Sequence, residues 1–180
     1  MQSTFTHLHV HSHYSLLNAL PKIPELIEAA KKDGMAALAL TDNGNLYGAI
    51  EFYKACIEPI LGIDAFVALR KRTDMQAGID NRRHRLVLLA KNLDGYKNLL
   101  KLVTRSHLEG FYYKPRLDRE LLSNHAEGLT AIMPFWTGEL GDALRNGDDE
   151  KAREIVGFYT KTFGADFYLE LTSQPGAEHE

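Results

Sequence analysis

Four of the chain's eight histidines lie within seven residues near its start, in the stretch HLHVHSHYS: His7, His9, His11 and His13. In an extended strand, alternate side chains point to the same side, so these four imidazoles would share one face. Two neutral imidazoles on one face can hold a divalent ion between them. Exposed histidines on the edge of a sheet are the alternative that this pattern leaves open.

Two carboxylates further along the chain accompany apolar segments that are typical of buried strands. Asp42 ends LALTD and is followed by the turn-forming residues NGN, and Asp64 lies within GIDAFVA. Functional groups of parallel α/β folds collect at the carboxyl ends of strands, which places Asp42 beside the histidines. Asp42 capping the next helix is the alternative. Because an unpaired carboxylate is costly to bury, Asp64 needs a cation or a hydrogen-bonding network.

The elements that must position these groups alternate between apolar strands and amphipathic helices. This alternation predicts an α/β fold with a parallel sheet, either open or closed into a barrel. The chain stops soon after its last predicted strand, with no helix to cover it, which suggests a barrel that is incomplete at its C-terminal end. The predicted strands cover residues 6–10, 36–40, 59–69, 85–90, 129–133 and 167–171, and the predicted helices cover residues 23–34, 47–56, 94–108 and 149–163.

Length and composition indicate one ordinary globular domain. The chain has 180 residues, of which 44% are hydrophobic and 25% are charged. It has no apolar run near the about 20 residues that cross a bilayer and no signal-peptide pattern, so we expect a cytoplasmic protein without a membrane partner. The single cysteine, Cys56, excludes an internal disulfide, and we expect it to be a buried small residue of a helix.

The net charge of −3 conceals a basic central segment. Residues 70–119 contain 13 Lys and Arg against 5 Asp and Glu. Such a surplus favours a phosphate-bearing partner, and Lys114 and Arg116 in YYKPRLD are the candidate phosphate contacts. A solvated face with charges of both signs is the alternative interpretation.

Several motifs in the same order along the chain resemble one known family: HLHVHSHYSLL, LALTDNGNLYGA, PILGIDAFVA, RLVLLAKNLDGYKNLLKL and EGFYYKPRLD. Together they resemble the PHP (polymerase and histidinol phosphatase) domain found at the N-terminus of bacterial DNA polymerase III alpha subunits. The resemblance covers nearly all 180 residues. It implies a distorted (β/α)7 barrel with up to three metal ions at the C-terminal strand ends. In metal-competent members it also implies phosphoesterase or 3′-5′ proofreading activity.

The metal-ligand positions that this resemblance implies are only partly kept. The matching candidates are His9, His11, Asp42 and Asp64, although most members have glutamate where Asp64 stands. Four positions are degenerate, and they are Asn18 for an aspartate, Asn43 and Arg85 for histidines, and Phe135 for a cysteine. The histidine next to Arg85, His84, is one step out of register. The remaining set favours at most one divalent ion, which would be zinc, manganese or magnesium.

The resemblance therefore implies that residues 1–180 are a single PHP domain, truncated before the last barrel strands and without a polymerase palm, fingers or thumb. We expect a structural role in the parent polymerase and no activity of the chain alone. Its partners would be the remainder of the alpha subunit, other replicase components and a proofreading exonuclease, and it would meet DNA only through the full-length parent. The alternatives are a free-standing metal-dependent phosphoesterase, or a chain that does not fold stably because a strand edge is exposed.

Overall fold

The structure, a computed structural model, describes residues 5–56 and 58–172. Strands and helices alternate along most of this part of the chain. The strands are β1 (Leu38–Asn43), β2 (Pro59–Ala68), β3 (Arg83–Ala90), β4 (Phe111–Tyr112), β5 (Lys114–Leu117), β6 (Leu129–Pro134) and β7 (Phe167–Glu170). The helices are α1 (Ile23–Lys32), α2 (Ala49–Ala55), α3 (Leu93–Leu108), α4 (Arg119–Asn124), α5 (Glu139–Arg145) and α6 (Asp149–Phe163), and a short 3-10 helix covers Gly164–Asp166.

The four helices predicted from hydrophobic periodicity are α1, α2, α3 and α6, and α6 has the predicted bounds. The α1 helix buries one face, and it is followed by Gly34, whose φ of +76° suits glycine and lets the chain turn away. The short helices α4 and α5 and the β4–β5 hairpin were not predicted. Asp118 begins α4 by accepting a hydrogen bond from the amide of Leu121 at 3.0 Å.

The strands form one sheet in the order β4-β5-β2-β3-β6-β7, and β1 pairs with β2. Strands β1 and β5 run parallel to β2, and β6 runs parallel to β7. Strand β3 is antiparallel to both of its neighbours, so the prediction of a wholly parallel sheet is wrong at this strand. The physical reason is the connection of residues 69–82, which contains turns but no helix and returns the chain directly alongside β2.

The sheet does not close on itself. Within residues 5–56 and 58–172, no strand pairing joins β7 to β1 or to β4. The predicted α/β fold with an incomplete barrel is therefore confirmed. The terminal stretch SQPGAEHE, on which the prediction of a shortened barrel partly rested, lies outside the described residues.

The histidine-containing segment runs beside β1 but is not a regular strand. The amide of Ala39 donates to the carbonyl of His7 at 3.0 Å, and the amide of Thr41 donates to the carbonyl of Val10 at 2.8 Å. Between these bonds the amide of Val10 donates to the side-chain oxygen of Thr41 at 2.9 Å instead of to a carbonyl. This hydroxyl interrupts the ladder, so the strand predicted at residues 6–10 is wrong, although the segment occupies a strand's place.

The two faces of the sheet bury different groups. Ala65 and Val67 of β2 and Leu86 and Leu88 of β3 pack on the helical side with residues of α3 and α6. The other face carries a smaller apolar cluster of Ala39, Val87, Leu89 and Ile132. Side chains alternate along a strand, so this inner face also receives Asp64 and Phe66 of β2 and Arg83 and Arg85 of β3.

The burial of Cys56 differs from the prediction. Cys56 follows α2 and is half-buried against the cluster around α1, so its predicted full burial is wrong because it stands at the end of the helix rather than within it. No helix in the described part of the chain is long and apolar enough to cross a membrane.

Candidate metal centre

Three potential ligands converge on the inner face of the sheet. Ligand atoms of His9, His11 and Asp64 all lie within 4.8 Å of one another. The Oδ2 atom of Asp64 is 2.9 Å from Nε2 of His9 and 3.1 Å from Nε2 of His11. The segment beside β1 supplies the histidines, and β2 supplies the carboxylate. Two imidazoles and one carboxylate form a donor set that suits one divalent ion.

A guanidinium group lies against the same carboxylate. The Nε atom of Arg85 donates to Oδ1 of Asp64 at 2.8 Å, and a terminal nitrogen donates to both Oδ2 of Asp64 and Oδ1 of Asn43. Arg85 faces Phe66 across the β2–β3 pair, and its guanidinium carbon is 4.5 Å from the ring centroid. Asp64, which is only 2% exposed, thus has a cationic partner within the protein.

The close contacts shift the ionisation of both partners. Burial alone would raise the pKa of Asp64, but hydrogen bonds from His11, His9 and Arg85 hold that pKa well below its ordinary range. Burial alone would lower the pKa of His9, but its hydrogen bonds to Asp64 and Glu170 raise the pKa to about 9. At neutral pH the metal-free site therefore holds an ionised Asp64 and a protonated His9, and a bound ion must displace that proton.

Glu170 is a member of the site that sequence reasoning missed. Its Oε2 lies 2.8 Å from Nδ1 of His9, on the side opposite to Asp64. A carboxylate on the second nitrogen of an imidazole fixes the orientation of the ring. Glu170 ends β7, so the rule that selected Asp42 and Asp64, a carboxylate within or at the end of a predicted strand, would also have found it in FYLEL.

Asp42 lies on the opposite face of β1 from Asn43 and does not join the three ligands. Its Oδ1 accepts from the amide of Ser12 at 2.7 Å and from the hydroxyl of Ser15 at 2.6 Å, and its Oδ2 accepts from the hydroxyl of Ser12 at 2.8 Å. It does not cap α2 either, because Gly48 holds that position. Asp42 instead anchors the turn after the histidine pair and thereby positions His11.

The remaining histidines and degenerate positions lie away from the cluster. Asn18 is exposed, and its amide donates to the carbonyl of Leu16 at 3.5 Å. Phe135 packs edge-on against Trp136, with ring centroids 5.3 Å apart. His84 pairs with Val67 in the register and faces the helical side, as its position out of register predicts. His7 packs against Phe5, and His13 packs against Tyr14.

The two candidate phosphate contacts have different surroundings. Arg116 is fully buried and donates to four backbone carbonyls, those of Gly110, Asp80, Arg72 and Asp74. Its guanidinium is used by hydrogen bonds within the protein, so Arg116 is not available as the predicted phosphate contact. Lys114 is half-buried, with Nζ 5.9 Å from the Phe66 ring, and forms no ion pair with a carboxylate in the part of the chain that the structure describes.

The fold is an open β/α barrel, and its inner face carries two histidines and a carboxylate from a strand. These features define the class of protein: a β/α barrel with a candidate metal centre at its inner face. The profile of the PHP domain family matches residues 7–174. The chain belongs to the PHP domain family.

Several relatives of the chain are DNA polymerase III alpha subunits. The chain is 47% identical over 175 residues to the DNA polymerase III subunit alpha of Borreliella burgdorferi, a match that covers 94% of this chain and 15% of the relative. It is 40% identical over 190 residues to the subunit alpha of Aquifex aeolicus, covering 100% of this chain and 16% of the relative. The chain thus spans about one-sixth of the length of these relatives.

Solved structures share the fold at low sequence identity. A protein from Bifidobacterium adolescentis, named as a candidate metal-dependent phosphoesterase, superposes with a TM-score of 0.57 at 12% identity, covering 93% of this chain and 78% of that one. An amidohydrolase from Chromobacterium violaceum, with bound sulfate and no metal, gives a TM-score of 0.51 at 12% identity, covering 93% and 85%. At this identity the likeness supports the fold alone.

Proposed function

We propose that residues 1–180 form the single PHP domain of a DNA polymerase III alpha subunit and act there as a structural module in the cytoplasm. The parent reaction would be template-directed addition of deoxynucleotides to a DNA primer. Support comes from relatives that match 94–100% of this chain but only about one-sixth of their own length. The polymerase's catalytic residues would then lie in the remaining five-sixths of such a subunit.

The contact of Arg85 with Asp64 and Asn43 is the observation that supports a structural role for this domain. The family resemblance implies metal-binding histidines at positions 43 and 85, and here the two replacing side chains bond to each other. The guanidinium brings a fixed positive charge to the carboxylate that a metal cluster would need. A second or third divalent ion beside it would meet like-charge repulsion without further anionic ligands.

A single divalent ion fits the donors that remain. We propose that His9, His11 and Asp64 would hold it, with Zn²⁺ or Mn²⁺ favoured over Mg²⁺ because two of the three donors are imidazoles. Such an ion supplies Lewis-acid polarisation of a phosphoryl oxygen when bound. His9 binds the ion only as the neutral ring, and Glu170 holds that ring in place.

An exposed apolar loop supports packing against another part of the parent subunit. Leu16, Leu17 and Leu20 are 76%, 105% and 91% exposed within five residues of sequence. Clustered exposed leucines are typical of surfaces that another protein segment covers. We propose the remainder of the alpha subunit as that segment, and further replicase components, among them a proofreading exonuclease, as partners of the assembled protein.

The experiment that tests this function measures bound metal and hydrolysis together. The purified chain is loaded with zinc or manganese, its metal content per chain is determined by mass spectrometry, and turnover of p-nitrophenyl phosphate is followed. We expect no more than one ion per chain and no turnover above that of His9→Ala. Two or more ions per chain, with turnover that His9→Ala abolishes, would overturn the proposal and establish the alternative, a metal-dependent phosphoesterase.

A further inference from the structure

A groove next to the metal centre is lined by four arginines, of which Arg85 pairs with Asp64 and Arg145 pairs with Asp142. It lies between the start of β3, the 135–138 turn and α5, and its lining includes Arg82, Arg83, Arg85, Arg145 and Trp136. The acidic side chain in this lining is Asp142, 3.7 Å from Arg145. We call this feature the arginine groove.

Several arginines outside the groove are paired with carboxylates, in contrast to Arg82 and Arg83 inside it. Arg70 pairs with Asp80 at 2.5 Å, Arg72 pairs with Asp118 at 3.0 Å, and Arg119 pairs with Glu154 at 2.5 Å. Within residues 5–56 and 58–172, neither Arg82 nor Arg83 forms an ion pair with any carboxylate. The Nη1 atom of Arg83 donates to the carbonyl of Asn81 at 2.7 Å, which leaves its charge uncompensated.

Two arginines of the groove and a neighbouring lysine lie around one aromatic ring. The guanidinium carbons of Arg83 and Arg85 lie 5.3 Å and 4.5 Å from the centroid of Phe66, and Nζ of Lys114 lies 5.9 Å from it. Burial and the nearby charge of Arg85 lower the pKa of Arg83. Like charges in a half-buried concavity favour an anion that would separate them. A phosphate group suits this surrounding because arginine matches its oxygens with two parallel hydrogen bonds.

An aromatic side chain borders the same concavity. Trp136 lines the groove, and the guanidinium carbon of Arg145 lies 5.6 Å from its ring centroid. A ring beside a cationic groove is the arrangement on which single-stranded nucleic acids stack their bases while the backbone follows the cations.

We propose that the arginine groove binds a phosphate group, and specifically the phosphodiester of a single-stranded DNA segment, through Arg82, Arg83 and Arg145. The binding needs no metal ion, because these residues are separate from His9 and His11. It is therefore independent of the proposed structural role and of the occupancy of the metal centre.

The chain carries its own reporter for this proposal, because Trp136 is its one tryptophan. Intrinsic fluorescence is followed while the chain, in EDTA, is titrated with a short oligodeoxythymidine and, separately, with inorganic phosphate. We expect a saturable change with the oligonucleotide that weakens steeply between about 50 and 200 mM salt. If inorganic phosphate saturates the change and the oligonucleotide does not bind, the groove binds free phosphate. The assignment to single-stranded DNA is then overturned.

Matched variants locate the binding. Arg83→Gln should weaken it about tenfold, the loss expected for one arginine–phosphate contact, and exposed Arg82→Gln should weaken it with little effect on the fold. Arg153→Gln removes the same charge from an exposed position of α6 and should change nothing. No saturable change with either ligand, or equal weakening by Arg83→Gln and Arg153→Gln in variants with normal circular dichroism, would overturn the proposal.

Discussion

Replacing Arg85 by histidine should destabilise the metal-free protein and make its stability depend on a divalent ion. The substitution removes the hydrogen bonds of the guanidinium to Asp64 and Asn43. It leaves Asp64 buried beside only His9 and His11. The new imidazole adds a fourth potential ligand to the same cluster.

The magnitude follows from the burial of the pair. Breaking a buried ion pair by removing one partner costs about 3–5 kcal/mol of unfolding free energy. The lower end applies, because the Arg85 side chain is 20% exposed and both histidines still contact Asp64, which is 2% exposed. A loss of about 3 kcal/mol lowers the Tm of a domain of this size by about 6–12 °C. An ion at about 100 times its Kd adds about 2.7 kcal/mol, which offsets nearly all of that loss.

Thermal unfolding followed by circular dichroism, first in EDTA and then with excess zinc, measures both effects. Arg83→His is the matched control, because it lies on the same strand and face but does not contact Asp64. Zinc should raise the Tm of Arg85→His much more than that of the wild type or the control. If Arg85→His unfolds at the wild-type temperature in EDTA, or if zinc shifts all three proteins equally, Arg85 is not the cation that compensates Asp64.

Three further outcomes follow from the described contacts. Arg116→Met removes four side-chain hydrogen bonds to backbone carbonyls and, at about 1 kcal/mol for each lost bond, should cost about 4 kcal/mol in urea unfolding, whereas exposed Arg153→Met should cost almost nothing. Leu17→Gly should raise the unfolding free energy by about 1 kcal/mol, since Leu17 has a φ of +67° and buries nothing; a lower Tm would contradict this. In EDTA, the stabilisation from protonated His9 should be complete below about pH 6.5 and lost as the pH rises through about 9, and His9→Gln should lack this decline in unfolding free energy.

The types of the longer helices and strands follow from hydrophobic periodicity, but the direction of β3 does not. A short apolar run such as RLVLLA is buried in either orientation, so its sequence carries no signal for parallel or antiparallel pairing. The direction depends on the connection, and residues 69–82 lack the amphipathic pattern of a crossover helix. Likewise, the Thr41 hydroxyl that interrupts the first strand acts through tertiary contact rather than through local propensity.

Residues of the candidate site could be predicted from the sequence where the pattern of a single segment points to them. Alternation in HLHVH places the imidazoles on one face, the family resemblance selects His9 and His11 among them, and the carboxylate in GIDAFVA adds Asp64. Alternation along LALTDN also separates Asp42 from Asn43, so its placement on the other face was available from the sequence. The contact between Arg85 and Asp64 depends on the register of β2 with β3, which no local pattern encodes.

The hydrogen bond between His9 and Glu170 joins positions 161 residues apart in sequence. During synthesis at about 5–20 residues per second, the histidine pair leaves the ribosome about 8–32 s before the carboxylate that orients it. Until Glu170 is synthesised, His9 can bond to only one of its two carboxylate partners, Asp64. The hydrogen bond that joins the histidine segment to β7 cannot yet form. The centre whose histidines come first in the sequence is therefore among the last parts of the domain to be completed.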